Sequence, residues 1–157
     1  MKKRIIKWSI LLIVSSVVLI AGIMYYLLNQ PHRNVQATAP DYQMDASALV
    51  NEYLSDVALA NDKYLQIEGN SKIIAVTGSI IAIAEDLNQQ KVVYLKGILG
   101  KAGVSCTFTA ETNIQVENLK IGDKITIKGV IRSGAEYDKD LELYEDVILE
   151  KCVILHL

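Results

Sequence analysis

The chain has 157 residues, 51% of them hydrophobic, and a formal net charge of −2 at neutral pH. That length holds one domain with appendages. The charge is unevenly spread, because residues 41–157 carry 11 Lys plus Arg against all 18 acids, a net of −7. That sign opposes nucleic-acid binding, whose affinity comes largely from neutralising phosphates.

Residues 1–7 are a basic N-terminus containing Lys2, Lys3, Arg4 and Lys7. Residues 8–28, "WSILLIVSSVVLIAGIMYYLL", follow without a charge, and twelve of these 21 are Leu, Ile or Val. At about 1.5 Å per residue the run forms a helix of roughly 31 Å, the thickness of a hydrocarbon core. A cleaved signal peptide would have a shorter apolar run followed by a small-x-small site. The one candidate, Ala37-Thr38-Ala39, lies well beyond the run and precedes Pro40, and no cysteine near the run suits a lipid anchor. The run therefore predicts a transmembrane helix, with Trp8 at one interface and Tyr25 and Tyr26 at the other. The basic flank places the N-terminus in the cytoplasm and the rest outside the cytoplasmic (inner) membrane, in the periplasm or cell envelope.

Residues 29–44 contain both prolines and little apolar content, which predicts an extended tether reaching at most about 50 Å. His32 stands alone there as a solvated residue. The domain is then expected over residues 45–157. Ala46, Val50, Tyr53, Val57, Ala60 and Tyr64 recur at spacings of three and four, predicting one amphipathic helix from Asp45 to Tyr64 with Asp45 as N-cap.

From Lys72 onward the pattern is that of strands. "KIIAVTGSIIAIAED" is long, rich in β-branched residues and interrupted by Gly78, where a bulge or sharp coil lets one strand serve two halves of a barrel. Leu87–Gln90 reads as a turn and "KVVYLKGIL" as the returning strand. In "VSCTFTA", Val104, Cys106, Phe108 and Ala110 alternate with Ser105, Thr107 and Thr109, predicting a half-buried antiparallel strand. The Gly122-Asp123 turn introduces "KITIKGVI", "RSGAEYDKD" reads as a loop, and "LELYEDVILEKCVILHL" closes the domain. The fold class is mainly β: a five-stranded OB-fold barrel preceded by an α-helix, with an N-terminal transmembrane helix.

"ANDKY…KIIAVTGSIIAI", "GVSCTF", "LKIGDKITIKG" and "DVILEKCVIL", in that order, resemble the tRNA-anticodon-domain-like (tRNA_anti-like) OB-fold family of bacteria, many of whose members are membrane-anchored. The resemblance covers roughly Ser47 to Leu155, and "LQIEGNS" (Leu65–Ser71) departs from it by lengthening the link after the helix. The family name records a likeness of fold to anticodon-binding barrels and implies no RNA ligand. The resemblance does imply that Cys106 and Cys152 lie on neighbouring strands. They are a disulfide candidate enclosing a loop worth roughly 4 kcal/mol, the alternative being two buried thiols.

The ligand-face candidates are Tyr94, Lys96, Ser105 and Thr107 on the outward side of the second and third barrel strands, with Glu136, Tyr137 and Asp138 in the last loop. They are chosen by analogy with where OB barrels bind. Tyr94 and Phe108 are the only aromatics on those two strands, too few for a base-stacking platform. Asp138, Asp140 and Glu142 alternate and would point one way in an extended chain, but no calcium-loop glycine or distal bidentate acid accompanies them, so no metal site is expected. His156 is the only histidine in the domain, and no nucleophile has a placed base, so neither an enzyme nor a cofactor is expected. The sequence reading is a membrane-anchored, non-catalytic OB-fold interaction module with an envelope protein or glycan partner. The alternative is a nucleic-acid-binding OB protein.

Overall fold

The computed structural model describes residues 15–26, 34–66, 70–96 and 101–155. It divides into two units, Met1–Arg33 and Asn34–Leu157. In the first unit residues 15–26 are helical with exposed side chains. Among the described residues no helix is long and apolar enough to cross a membrane. The rest of the span expected over 8–28, Trp8 included, lies outside them.

The second unit is built on a closed barrel. Strands β1 (Tyr42–Asp45), β2 (Ile73–Glu85), β3 (Lys91–Lys96), β4 (Val104–Phe108), β5 (Lys124–Ser133), β6 (Glu136–Asp138), β7 (Leu143–Glu145) and β8 (Val147–Leu155) are joined by helices α1 (Ala46–Ser55) and α2 (Val57–Tyr64). The sheet order is β1-β2-β3-β4-β8-β5, and a β2–β5 pairing closes the ring of five. β4 and β8 run parallel, and the other pairs of the ring are antiparallel. This is the expected five-stranded barrel.

β2 serves both halves as anticipated. Ile73–Ser79 pair with β5, and Ser79–Glu85 pair with β3. The irregularity falls between Ile80 and Ala82, however, and Gly78 keeps its register with Ile125. Gly78 sits in close packing: a Cβ there would come within 3.1 Å of Leu95 Cβ and 3.2 Å of Ala46 Cβ, so the neighbours would have to give by a few tenths of an ångström. The Gly122-Asp123 turn forms as read. Gly122 has φ 97°, Lys120 N–H donates to Asp123 Oδ2 at 2.8 Å, and Gly122 and Asp123 bond through their backbones to Ile80.

The helix expected from Asp45 to Tyr64 is two helices. Asp56 (φ −158°, ψ 96°) leaves the helical region, and its carboxylate accepts the Leu59 N–H at 3.0 Å, so it caps α2. Asp45 makes no side-chain cap bond. Most of the apolar stripe survives the break: Ala46, Val50, Tyr53, Ala60 and Tyr64 are buried in the barrel's core cluster, Leu49 joins them, and Val57 at the start of α2 is only half-buried; each large buried side chain contributes about 1.5–3 kcal/mol.

Part of the supposed tether belongs to the domain. Tyr42–Asp45 pair in parallel with Ile74–Thr77, Asp41 Oδ2 accepts the Ile73 N–H, and Val35 is buried. Lys128, itself buried, donates from Nζ to the carbonyls of Gln36 and Thr38 at 2.9 Å each. Residues 29–33 lie outside the described residues. Two smaller corrections concern strand ends. Ala110 is exposed because β4 stops at Phe108, and the expected loop after β5 contains β6, which pairs with β7 as a separate two-stranded sheet.

Candidate functional site

Alternation along β3 and β4 puts Val93, Leu95, Val104, Cys106 and Phe108 into the core and turns the intervening residues outward. Tyr94 stands opposite Ser105, and Thr107 opposite Val92. The row extends on both sides, since Ala82 of β2 pairs with Tyr94 and Ile148 of β8 pairs with Ser105. Lys96 ends β3 on the same side, opposite Ser79. The four barrel candidates, Tyr94, Lys96, Ser105 and Thr107, thus share one half-exposed face.

Ile148 belongs to this face and was not anticipated. It is 39% exposed between buried Val147 and Leu149. The alternation within "VILEKCVIL" carries that information, but an unbroken run of apolar residues reads as wholly buried.

Glu136, Tyr137 and Asp138 form β6, not a loop. The β6–β7 hairpin leaves the barrel beside the start of β4, where Gly103 N–H donates to Asp146 Oδ1 at 2.6 Å and Val147 N–H donates to the Gly103 carbonyl. Tyr137 lies against Tyr144 with ring centroids 4.8 Å apart, and Lys101 Nζ lies 5.4 Å from the Tyr144 ring centre. Leu141 and Leu143 are exposed. The aligned carboxylates expected of Asp138, Asp140 and Glu142 do not form. Asp138 Oδ1 instead accepts the N–H groups of Asp140 and Leu141, and Glu142 takes φ 52°. Among the described residues no group of three or more side chains is arranged to hold a metal ion.

Cys106 and Cys152 are both fully buried free thiols on the paired strands β4 and β8. Burial pushes the Cys152 thiol well up, and a hydrogen bond with Cys106 adds to it. Away from this face, Tyr64 Oη and Lys63 Nζ both donate to Glu52 Oε2, at 2.6 and 2.8 Å. These bonds, that from Lys63 first, hold the Glu52 carboxyl below its ordinary value of 4.5.

A family model described as tRNA_anti-like matches residues 1–141. The chain belongs to the tRNA_anti-like family. No curated protein matches it. Among solved structures, this family member is similar to a chain described as a "putative nucleic acid-binding lipoprotein" from Klebsiella pneumoniae subsp. pneumoniae MGH 78578. The two are 19% identical with a TM-score of 0.54, covering 81% of this chain and 100% of the other. At that identity the likeness is one of fold.

Proposed function

We propose that this tRNA_anti-like chain is a single-pass membrane-anchored module that displays its barrel outside the cytoplasmic membrane. There it binds an envelope protein or glycan, without catalysis, through the outer face of β3, β4 and β8. The observation that carries the reading is the register of Tyr94 with Ser105 at the centre of a half-exposed row that also holds Ala82 and Ile148. A mixed row of one aromatic (Tyr94), two aliphatic (Ala82 and Ile148) and one hydroxyl side chain (Ser105), with Thr107 beside it, suits the polar and apolar contacts of a protein interface. The anchoring part rests on the uncharged run at 8–28 and its basic flank. The non-catalytic part rests on the face itself, where among the described residues no histidine stands beside the hydroxyls of Ser105 and Thr107 in the register.

A second reading, nucleic-acid binding, is favoured by the words that describe the Klebsiella structure and by Lys96 beside Tyr94. Against it stand the net −7 of residues 41–157 and the five acids of the hairpin between Glu136 and Glu145.

Two measurements test the proposal. Protease added to intact bacterial spheroplasts is expected to digest residues 34–157, and protection until lysis contradicts the external placement. A gel shift with single-stranded RNA is expected to show no salt-dependent complex; a strong one favours the second reading.

A further inference from the structure

β5 begins and β8 ends at the same end of the barrel, where Thr126 stands between Thr77 of β2 and Leu155 of β8 in the register. A cleft of about 590 Å³ opens between these strands and the short 3-10 helix Asn113–Val116. That size falls within the roughly 300–1,000 Å³ of small-molecule sites. Its walls are mostly aliphatic, from Ile114, Leu119, Ile125, Ile154 and Leu155. Gln115 fixes one wall by accepting the Ile154 N–H at Oε1, 2.9 Å away.

Two polar features interrupt this lining. The Thr77 and Thr126 hydroxyls share one hydrogen bond of 2.8 Å, so whichever donates, the other keeps its proton. Among the described residues no acceptor takes that remaining proton, at a place where Thr126 is only 2% exposed. Lys124 lies two positions before Thr126 on β5 and therefore on the same face. It is the one ionisable side chain among the described residues of the lining. Among the described residues it joins no ion pair, the pairs being Glu52–Lys63, Glu85–Lys91 and Glu150–Arg132.

We propose that this cleft binds a single-chain alkyl carboxylate, an anion of the fatty-acid class. One carboxylate oxygen accepts the remaining threonine proton and the other pairs with Lys124 Nζ, while the chain lies along Ile114, Leu119, Ile125 and Ile154. The cleft shares no residue with the face around Tyr94 and Ser105, so this site is additional to the binding reading and does not rest on it. Charge selects the sign of the ligand, because the described lining holds a cation and no carboxylate although residues 41–157 carry a net −7. Acids elsewhere act through a screening length of about 8 Å at physiological salt. A nucleobase would need an aromatic ring to stack on, and none lines the cleft. A peptide would bring N–H groups in need of acceptors, and Gln115 Oε1 is already taken.

The test uses the full chain, carbon-13-labelled at its Ile and Leu methyls, in phosphatidylcholine nanodiscs. Sodium octanoate is the probe and octyltrimethylammonium its cationic counterpart. Octanoate is expected to shift the Ile114, Leu119, Ile125 and Ile154 methyl signals saturably, and the cation to leave them in place. Lys124→Met, at an exposed position, is expected to weaken octanoate binding about tenfold with the melting temperature unchanged. Ile114→Ser, also exposed, is expected to weaken it about threefold. The absence of a saturable shift, equal shifts with the cation, or undiminished binding by Lys124→Met overturns the proposal. So do the same shifts in nanodiscs containing phosphatidylglycerol without octanoate, since they assign the cleft to a membrane lipid instead.

Discussion

Tyr64 donates its hydroxyl proton to Glu52 Oε2 at 2.6 Å, and this bond ties α2 back to α1 across the break at Asp56. Lys63 shares the same oxygen at 2.8 Å and lies over the rings of Tyr64 and Tyr42 at 4.7 and 5.2 Å. The cluster replaces the continuous helical ladder that Asp56 interrupts.

A carboxyl held below its ordinary value stabilises the fold above its unfolded pKa, and that stability is lost as pH falls through the folded one. Glu52 is in this class, so its contribution is present at neutral pH and disappears in acid, below about 4.5. Lys63 is shifted upward by the same pair, and its part is lost only in strong alkali. Because Glu52 is 42% exposed, solvent screening keeps the effect to about 1 kcal/mol or less. Glu52→Gln is expected to lower the melting temperature at pH 7 and to flatten its decline as the pH falls below the ordinary carboxylate value of 4.5. Thermal melts across that range check it, and parallel curves for the two proteins contradict it.

Tyr53 is fully buried against Gly134, where a Cβ would overlap its ring. Gly134→Ala is therefore expected to cost about 3 kcal/mol through overpacking. Among the described residues the buried Tyr53 hydroxyl has no hydrogen-bond partner, and burial first, then the charges of Tyr64 and Glu52, push its pKa up to about 12. Tyr53→Phe removes an unpaired polar atom and is expected to be neutral or to stabilise by about 1 kcal/mol. Urea melts of both variants decide, and a clear loss of stability in Tyr53→Phe shows that the hydroxyl has an acceptor.

Lys128 fastens residues 36–38 to the barrel through two carbonyls. Lys128→Met keeps the aliphatic stem and removes both bonds, which is expected to cost about 1.5–3 kcal/mol. It is also expected to expose residues 34–41 to proteinase K before the barrel itself is cut. Mass spectrometry of the early fragments shows whether cleavage moves there.

The two thiols are expected to be inert to Ellman's reagent in the native chain, since both are buried and the Cys152 thiolate is disfavoured. Both are expected to react once the chain is unfolded in guanidinium without reductant. Failure to react until reductant is added means that the sulfurs are bonded in the isolated protein.

The barrel was legible in the sequence because its signals are local. Val104–Phe108 alternate strictly, and Gly122-Asp123 supplies the positive φ that the turn before β5 requires. The break at Asp56 was hidden because the apolar spacing of three and four runs on through it, from Tyr53 to Val57 and Ala60. Only the capping chemistry of Asp56 marks the boundary. β1 was missed for a different reason. Its partner, Ile74–Thr77, lies some thirty residues away, and beside Pro40 the short polar stretch resembles a linker. Strand parity in Val104–Phe108 turned Ser105 and Thr107 outward, whereas Tyr94 and Lys96 were chosen by analogy with where OB barrels bind. The opposition of Glu136 and Glu145 depends on a hairpin register that no local pattern announces.

The measurement that tests the account most directly is site-specific photocrosslinking in intact cells, with the photoreactive residue at Ser105. The account predicts a protein or glycan adduct that survives nuclease, forms outside the cytoplasm, and is lost when Lys96→Glu reverses the charge beside Tyr94. An adduct destroyed by nuclease, or an adduct pattern unchanged by the reversal, would contradict it.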